Sequence, residues 1–544
     1  MELTKSLQDR FPALLLLALF ILPFFVRPVA STVWDANEAF YVETPREMVA
    51  SGNWILPTFD GEPRLNKPPL SYWIIAPFYQ AFGVNLLWER LVMAFLAAGS
   101  VLILFFVGRL CLARPGSALL AAGILATTFR LVVVSRRLLI DLLLFFLLMA
   151  ALLALAHWLI DRSPRAFVGA CALLGLAFLT KGPVALFPLA ALLLFLALNG
   201  RLDDLFKAPW IAGGIVLAAI SCSWFLVLGV THGWQAVIDF FMQENLGRYL
   251  NVDFGPQRGY FYYVGVYLAD FFPWSVLLPA VLVAHARQRR RPFSRDQLSG
   301  FFLIWCFVYF IVFSFSLNKQ EYYILPIYGP AALLLAGAAA TAKPTRWVAG
   351  PVAALLVIGG FLLALFTHVL FPSPWFWVPA VLLMLCTWPA WKGRLLWLSA
   401  MLSLFFALGA AVYLPDFEAY KPVHALADVI RRETARTAGP WKAGYYRITA
   451  PSLRFYLDEN ILQLFDLPAA ADALREPEPV YLITDQTGLD ELRNALGNDL
   501  PHVVASQPQF KTNAHRLWKI LSDPETSDWT SDVLLVTNRA ADSP

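Results

Sequence analysis

Residues 138–160 read LLIDLLLFFLLMAALLALAHWLI, a run that is apolar at nearly every position. A stretch of about 20 apolar residues is long enough to cross the hydrocarbon core of a bilayer as a helix. Similar stretches recur along the chain, near residues 11–30, 86–111, 115–133, 165–180, 182–199, 209–230, 262–285, 299–317, 323–342, 347–370, 376–391 and 394–413. The sequence therefore predicts a polytopic α-helical membrane protein with about thirteen transmembrane helices.

The composition supports a chain whose main solvent is lipid. Of the 544 residues, 59% are apolar and 15% are charged, which a soluble domain of this length could not hide in one core. The net charge of +4 is small, and the basic residues gather in short loops, so nucleic acid is excluded as a partner. The five cysteines lie in apolar stretches without metal-like spacing, and they do not indicate a redox compartment.

The charges of the connecting segments predict the sidedness of the chain. Short basic connectors separated by two spans are typical of the cytoplasmic side, and they occur at 109–114, 162–165, 201–207, 287–295, 343–346 and 392–394. The alternate connectors then lie on the outer side of the bacterial inner membrane. The first run is interpreted as an uncleaved span, because Pro28 sits awkwardly for processing after Ala30.

Two domains are predicted. Residues 1–414 form the transmembrane domain, whose outer loop, 31–85, holds two amphipathic segments at 37–50 and 69–82 that could lie in the membrane interface with an aromatic face toward lipid. Residues 415–544 form a small soluble extracytoplasmic α/β domain. Within it, helices are predicted over 417–437 and 487–496 and strands over 480–483, 517–521 and 533–536.

Ionisable residues near spans are costly, so those on the outer side are the candidates for chemistry. Asp35 and Glu38 follow the first span, where a carboxylate could take a proton from an acceptor. Lys67 precedes two prolines that start a helix, a place that favours an anion such as phosphate, and Arg64 lies in the same segment. Simple interfacial anchoring remains the alternative for these residues.

Further candidates come from later loops on the same predicted side. Asp141 begins the fourth span, and Lys181 lies where Gly182 and Pro183 break two spans at the same depth; an ordinary Arg–Asp structural pair is the alternative for Asp141. The remaining candidates are Glu244, Arg248, Lys319 and Tyr323. Several cations facing a few carboxylates would suit a phosphate leaving group.

These residues carry a resemblance to a known family. The acidic start before Tyr41, Pro45-Arg46-Glu47-Met48, Asn66-Lys67-Pro68-Pro69, Asp141, Leu179-Thr180-Lys181-Gly182-Pro183 and the stretch from Lys319 through Pro326 carry it. Together they resemble the bacterial aminoarabinose transferases and protein mannosyltransferases, membrane glycosyltransferases of the GT-C class that depend on polyprenyl phosphate.

The resemblance implies an inverting transfer of a sugar from a polyprenyl (undecaprenyl) phosphate donor to an envelope acceptor. It implies an acidic residue of the first outer loop as general base. The adjacent Asp-Glu pair usual in the family reads Asn37-Glu38 here, so either Asp35 or Glu38 is the base. Asp141 is expected as a second carboxylate, and Lys67, Arg248, Lys319 and Tyr323 are expected around the donor phosphate.

The sequence leaves several alternatives open. A lipid-linked-sugar flippase or other transporter would also have a charged cavity, although the inverted repeat typical of many transporters is not visible. A non-catalytic membrane scaffold is the other rival. A divalent metal shared among Asp35, Glu38, Asp141, Glu244 and His232 is not demanded by any spacing, and no other cofactor is indicated. The sugar and the acceptor, whether lipid A, another glycolipid, a polysaccharide or a protein, cannot be read from the sequence.

Overall fold

A computed structural model of the chain describes residues 2–250, 258–288, 298–341, 346–370, 374–435, 439–497, 500–510 and 530–539. In chain order the α-helices are α1 (Glu2–Phe25), α2 (Asn37–Ser51), α3 (Leu70–Phe82), α4 (Leu86–Cys111), α5 (Pro115–Ala126), α6 (Phe129–Val134), α7 (Ile140–Asp161), α8 (Pro164–Lys181), α9 (Phe187–Leu198), α10 (Asp203–Lys207), α11 (Trp210–His232), α12 (Trp234–Asp239), α13 (Arg248–Leu250), α14 (Tyr262–Asp270), α15 (Leu278–Gln288), α16 (Leu298–Phe315), α17 (Tyr328–Thr341), α18 (Arg346–Leu370), α19 (Trp377–Leu385), α20 (Thr387–Trp391), α21 (Leu395–Phe417), α22 (Pro422–Thr434), α23 (Ser452–Leu457), α24 (Leu467–Arg475) and α25 (Gln486–Leu496). The strands are β1 (Thr58–Phe59), β2 (Glu62–Pro63), β3 (Lys442–Tyr446), β4 (Ile461–Leu464), β5 (Val480–Asp485), β6 (His502–Phe510) and β7 (Thr530–Thr537).

The described helices include eight segments that are long and apolar enough to cross a membrane. These segments are Leu86–Cys111, Ile140–Asp161, Pro164–Leu198, Trp210–His232, Leu298–Phe315, Glu321–Ala340, Arg346–His368 and Leu395–Tyr420. Shorter apolar helices cover Phe11–Phe25, Gly116–Ala126 and Trp377–Trp391. These lengths and compositions confirm the prediction of a multi-pass helical membrane protein.

The segment Pro164–Leu198 is a hairpin of two helices, α8 and α9. Arg162, just before α8, forms an ion pair of 2.5 Å with Asp204, which follows α9. Since the 18 residues of α8 are about 27 Å long, collinear helices would hold these two side chains far apart. The chain therefore turns at the 3₁₀ segment Gly182–Leu186 and returns to the side from which α8 started.

Two predicted spans are interrupted at sites that contact each other, and a third, 376–391, is divided at Cys386 into α19 and α20. The predicted span 262–285 breaks after α14, and a 3₁₀ turn at Trp274–Leu277 precedes α15. Pro273 lies at this break, and proline cannot donate the backbone hydrogen bond that a continuous helix needs. The predicted span 115–133 breaks between α5 and α6. The two interruptions touch, because Trp274 Nε1 donates to Thr127 Oγ1 at 3.0 Å.

The outer loop forms the two predicted helices, α2 and α3, but the expected interfacial position of α2 is wrong. Tyr41, Val42, Glu43 and Met48 of α2 are all buried. The cause is that α3 packs on one part of α2 and the C-terminal helix α23 covers another. The carboxylate of Glu43, which amphipathic spacing would place in solvent, has no exposed surface.

Residues 422–539, called the C-terminal region, contain a five-stranded sheet in the order β4-β3-β5-β7-β6. β3 is parallel to β4 and β5, and β7 is antiparallel to β5 and β6. Alternate residues of the central strand β5 face opposite sides: Tyr481 and Ile483 share a core with α22 and α23, and Val480 and Leu482 share one with α24 and α25. β5, β7 and α25 coincide with predicted elements, β3, β4 and β6 were not predicted, and the predicted strand 517–521 lies outside the described residues.

Candidate active site

Asp141 and Lys181 form an ion pair at one end of the helical hairpins. Asp141 lies in the first turn of α7 and Lys181 is the last residue of α8, and their oxygen and nitrogen are 2.5 Å apart. α8 ends there because Gly182 adopts φ +73°, which favours glycine, and Pro183 follows. The Lys181 ammonium also lies 4.2 Å from the ring centre of Tyr323. We call this end of the helices the site end.

Lys67 and Glu244 form a second pair, looser than the first. Lys67 Nζ is 3.6 Å from a Glu244 carboxylate oxygen, and the two side chains keep 17% and 16% of their surface exposed. Glu244 is carried by a π-helical segment, Phe240–Gly247. A longer ion pair that still reaches solvent can rearrange around a ligand at little cost.

Arg64 lies among aromatic rings beside this pair. Its guanidinium carbon is 3.7 Å from the ring centre of Phe40, a close cation–π contact. Arg64 also acts electrostatically on Tyr72, and the Tyr72 ring stacks on Tyr41 with centroids 6.0 Å apart. Arg64 Nε is buried and has no acceptor among the described residues, so it is a donor that an anion could satisfy.

The two pairs belong to one cluster. Tyr322 lies within electrostatic range of both Asp141 and Tyr41, and so joins the Asp141 pair to the aromatic group beside Lys67. A narrow, mainly apolar cavity lined by Tyr41, Ser71 and residues 138–140 adjoins it. We call this set the site cluster: Tyr41, Arg64, Lys67, Asp141, Lys181, Glu244 and Tyr323.

Asp35 lies between α1 and α2. The residue keeps exposed surface, but neighbouring protein atoms desolvate its carboxylate. Its carboxylate accepts hydrogen bonds from the backbone N of Ser452, at 2.8 Å, and from Ser452 Oγ. Desolvation raises the pKa of Asp35 to about 6; the two bonds from Ser452 act to lower it, Glu38 raises it and Lys421 lowers it. A carboxylate with a pKa near 6 is well matched to a general base at neutral pH.

Glu38 has a different environment. It is 1% exposed and forms an ion pair with Arg90, whose side chain is equally buried. Its oxygens also accept backbone hydrogen bonds from Trp34, at 2.8 Å, and Leu138, at 2.5 Å. With both oxygens occupied and no access to solvent, Glu38 ties the outer loop to α4 and to the residues before α7. Of the two predicted bases, the geometry favours Asp35.

Lys319 does not present its ammonium to a ligand. It is 2% exposed, and Nζ donates to the backbone carbonyls of Arg258, at 3.0 Å, and Ser316. Desolvation lowers its pKa. Its predicted role at the donor phosphate is therefore not supported, because its donors already fix the backbone before the 3₁₀ segment Glu321–Ile327. The side chain of Arg248, the remaining predicted phosphate ligand, lies outside the described part of the structure.

The structure does not gather the proposed metal ligands. Among the described residues, no group of three or more His, Cys, Asp or Glu side chains is placed to hold a metal ion. Asp35, Glu38, Asp141 and Glu244 each have different partners. His232 is exposed at the end of α11, where its Nδ1 is 2.7 Å from Thr231 Oγ1.

Two ion pairs at the site end were not predicted from the sequence. Arg130 binds Asp270 at 2.8 Å, and Asp270 also accepts a hydrogen bond of 2.9 Å from Tyr328. Arg258 binds Glu321 at 2.7 Å. Arg130 and Asp270 fall inside the predicted spans 115–133 and 262–285, and an ionisable residue within a span is itself a signal of a partner or a function. That signal could have found the first pair.

Comparison with known proteins finds relatives among membrane glycosyltransferases. A model of dolichyl-phosphate-mannose-protein mannosyltransferases matches residues 66–227, which include Lys67, Asp141 and Lys181. An undecaprenyl phosphate-alpha-4-amino-4-deoxy-L-arabinose arabinosyl transferase of Edwardsiella ictaluri is 31% identical over 334 residues, which are 59% of this chain and 58% of that protein. The resemblance to the GT-C membrane glycosyltransferases is confirmed.

Other relatives extend the similarity. A second such transferase, from Pseudomonas fluorescens, is 30% identical over 62% of this chain and 57% of its own length, so the chain spans less than two thirds of both named transferases. An uncharacterized protein of Aquifex aeolicus is 27% identical over 83% of this chain and 87% of its own length. The crystal structure of ArnT from Cupriavidus metallidurans bound to undecaprenyl phosphate has the same fold, with a TM-score of 0.77 at 20% identity over 98% of this chain and 99% of that one.

Proposed function

We propose that this protein is an inverting glycosyltransferase. It moves a sugar from an undecaprenyl phosphate donor to an envelope acceptor such as lipid A, another glycolipid or a protein. The relatives named as arabinosyl transferases support the donor class. The observation that carries the proposal is that Lys67, Asp141 and Lys181, all within the matched range, share the site end with Glu244 and Tyr323.

The donor phosphate is assigned to the cationic side of the site cluster. When the sugar–oxygen bond breaks, the leaving polyprenyl phosphate gains negative charge, which preorganised cations stabilise. Lys67 forms a long ion pair of 3.6 Å with Glu244 and donates a hydrogen bond of 2.8 Å to the carbonyl of its neighbour Asn66. Arg64 Nε is a buried donor without an acceptor among the described residues. Both can turn their charge toward a phosphate. Lys181 is held by Asp141 at 2.5 Å and is assigned to orienting the reactants.

Asp35 is assigned as the general base. It would take the proton from the acceptor oxygen as that oxygen attacks the anomeric carbon, and the donor phosphate would leave from the opposite face. This displacement inverts the anomeric centre. A pKa of about 6 keeps Asp35 ionised at neutral pH while leaving it a stronger base than an ordinary aspartate.

The number of membrane spans and the side that each connector faces belong to the same proposal. It keeps the expectation of about thirteen spans, taking the hairpin α8–α9 of the described residues as two passes and α5–α6, α14–α15 and α19–α20 as one pass each. The basic connectors, including the two that are joined by the Arg162–Asp204 ion pair, would face the cytoplasm, and the site end would face outward. The predicted domain 415–544, which includes the C-terminal region, would then be extracytoplasmic at the inner membrane.

A panel of donors tests the proposal. Purified protein in lipid vesicles is incubated with undecaprenyl phosphates carrying different sugars and with a lipid A acceptor, and the glycosylated product is separated by chromatography. We expect product from one donor class and little from Lys67→Met. The matched control is Lys207→Met, because Lys207 is a solvent-exposed lysine that pairs with Asp204 at the opposite end of the helices. Equal loss in both variants would contradict the assignment of Lys67.

A further inference from the structure

The short helix α23 of the C-terminal region docks directly on the outer loop. Its first residue, Ser452, donates two hydrogen bonds to Asp35. One turn later, the hydroxyl of Tyr456 accepts a hydrogen bond of 2.8 Å from the backbone N of Val33. Two residues of α23 that are four positions apart thus bind the residues on both sides of Trp34, in the segment between α1 and α2.

Between these two residues, Arg454 anchors α23 to α2 and the β1–β2 turn. Its Nε lies 3.4 Å from Glu43, 3.2 Å from Asp60 and 3.8 Å from Glu47. Because the Arg454 side chain is only 13% exposed, water screens these contacts poorly. The anchor therefore fixes the position of α23, and with it the position of the Ser452 hydroxyl.

Several charged or titratable groups act electrostatically on Asp35 or are acted on by it. Glu38 lies on α2, Lys421 follows the last apolar helix, Tyr445 lies on β3 and Tyr456 on α23. Ser452 alone donates hydrogen bonds to the carboxylate in the described structure. The C-terminal region thus supplies both contacts that orient the two carboxylate oxygens.

We propose that Ser452 is a positioning residue that aims the Asp35 carboxylate at the acceptor, so that the C-terminal region completes the active site. This inference rests on the proposed function, with Asp35 as base. Two hydrogen bonds fix the rotation of the carboxylate, and a 1 Å displacement of a catalytic group is enough to slow a reaction greatly. The same bonds stabilise the ionised form of Asp35.

The pH dependence of transfer tests the inference. A hydrogen bond to the ionised carboxylate lowers its pKa, so loss of the bond from Ser452 Oγ raises it, while the bond from the Ser452 backbone N is kept in Ser452→Ala. The wild type should lose kcat/KM as the pH falls through about 6, the pKa of Asp35. In Ser452→Ala this acid limb should move up by about one pH unit. Ser452→Thr, which keeps the hydroxyl, should follow the wild type, and Ser452→Cys, a weaker donor, should lie between. An acid limb in Ser452→Ala that coincides with the wild type would overturn the inference.

Controls separate this inference from the proposed function. Ser506→Ala removes a serine hydroxyl from β6, in the sheet of the same C-terminal region, and it should leave the pH profile unchanged. A shift equal to that of Ser452→Ala would count against a local effect. Profiles are normalised to each variant's own maximum, so a partly unfolded sample does not mimic a shift. A wild type that forms no product with any donor sinks the proposed function, whereas an active wild type with an unshifted Ser452→Ala sinks only the positioning role.

Discussion

Glu38→Gln should lower the free energy of unfolding without removing a group that takes part in the transfer reaction. Glu38 and Arg90 are both 1% exposed, and Arg90 also reaches the backbone carbonyls of Ser31, at 3.2 Å, and Thr32, at 3.3 Å. Glutamine keeps the shape but removes the charge, which leaves the guanidinium buried without its counterion. Breaking one side of a buried ion pair costs about 3–5 kcal/mol.

The size of this loss is measured from detergent-induced unfolding in mixed micelles. The double variant Glu38→Gln with Arg90→Met removes both charges and should recover most of the free energy of unfolding, because no charge is then left buried alone. Asp35→Asn should change the free energy of unfolding much less, since the hydrogen bonds to Asp35 come from neutral Ser452 groups and no buried guanidinium loses its counterion. A Glu38→Gln protein as stable as the wild type but inactive would refute this reasoning and make Glu38 the base.

Three further predictions concern single side chains. Asp35→Asn should lower kcat by about 10²–10⁴-fold, the usual contribution of general base catalysis, with the melting temperature retained; full activity would end the base assignment. Lys67→Met should lower kcat/KM for the donor by about 10–100-fold, as expected for loss of one charge-assisted hydrogen bond, with initial rates as the assay. Desolvation raises the pKa of Glu43 from 4.5 to about 7, so between these pH values the folded state binds a proton that the unfolded state has released. The free energy of unfolding should therefore fall by about 3 kcal/mol as the pH rises from about 4.5 to 7. Melting curves of Glu43→Gln should lack this slope, and an equal slope in both proteins would exclude Glu43 as its source.

The sequence was informative where a single local pattern decides the structure. Runs of apolar residues located the helices, and Gly182 with Pro183 marked the end of α8. The predicted span 86–111 coincides with α4, at whose start the Asn85 side chain accepts a hydrogen bond from the Leu87 backbone N. The basic connectors also brought Asp141 and Lys181 to one predicted side, and the two side chains prove to be in contact.

Partners distant in sequence were not predictable in this way. Asp35 and Glu38 are three residues apart and look equivalent, yet one is exposed beside Ser452 and the other is enclosed with Arg90. What separates them is packing by segments that lie far along the chain. Glu43 was misplaced for the same reason, since only the docking of α23 buries a face that otherwise reads as polar.

The most direct test is the fate of the phosphodiester in the donor, followed by phosphorus NMR in vesicles that contain the purified protein, donor and acceptor. Transfer predicts that the sugar phosphodiester signal falls and a polyprenyl phosphate monoester signal rises, at a rate that depends on Asp35. A diester that stays intact while the lipid changes leaflet would contradict the account and show a transporter.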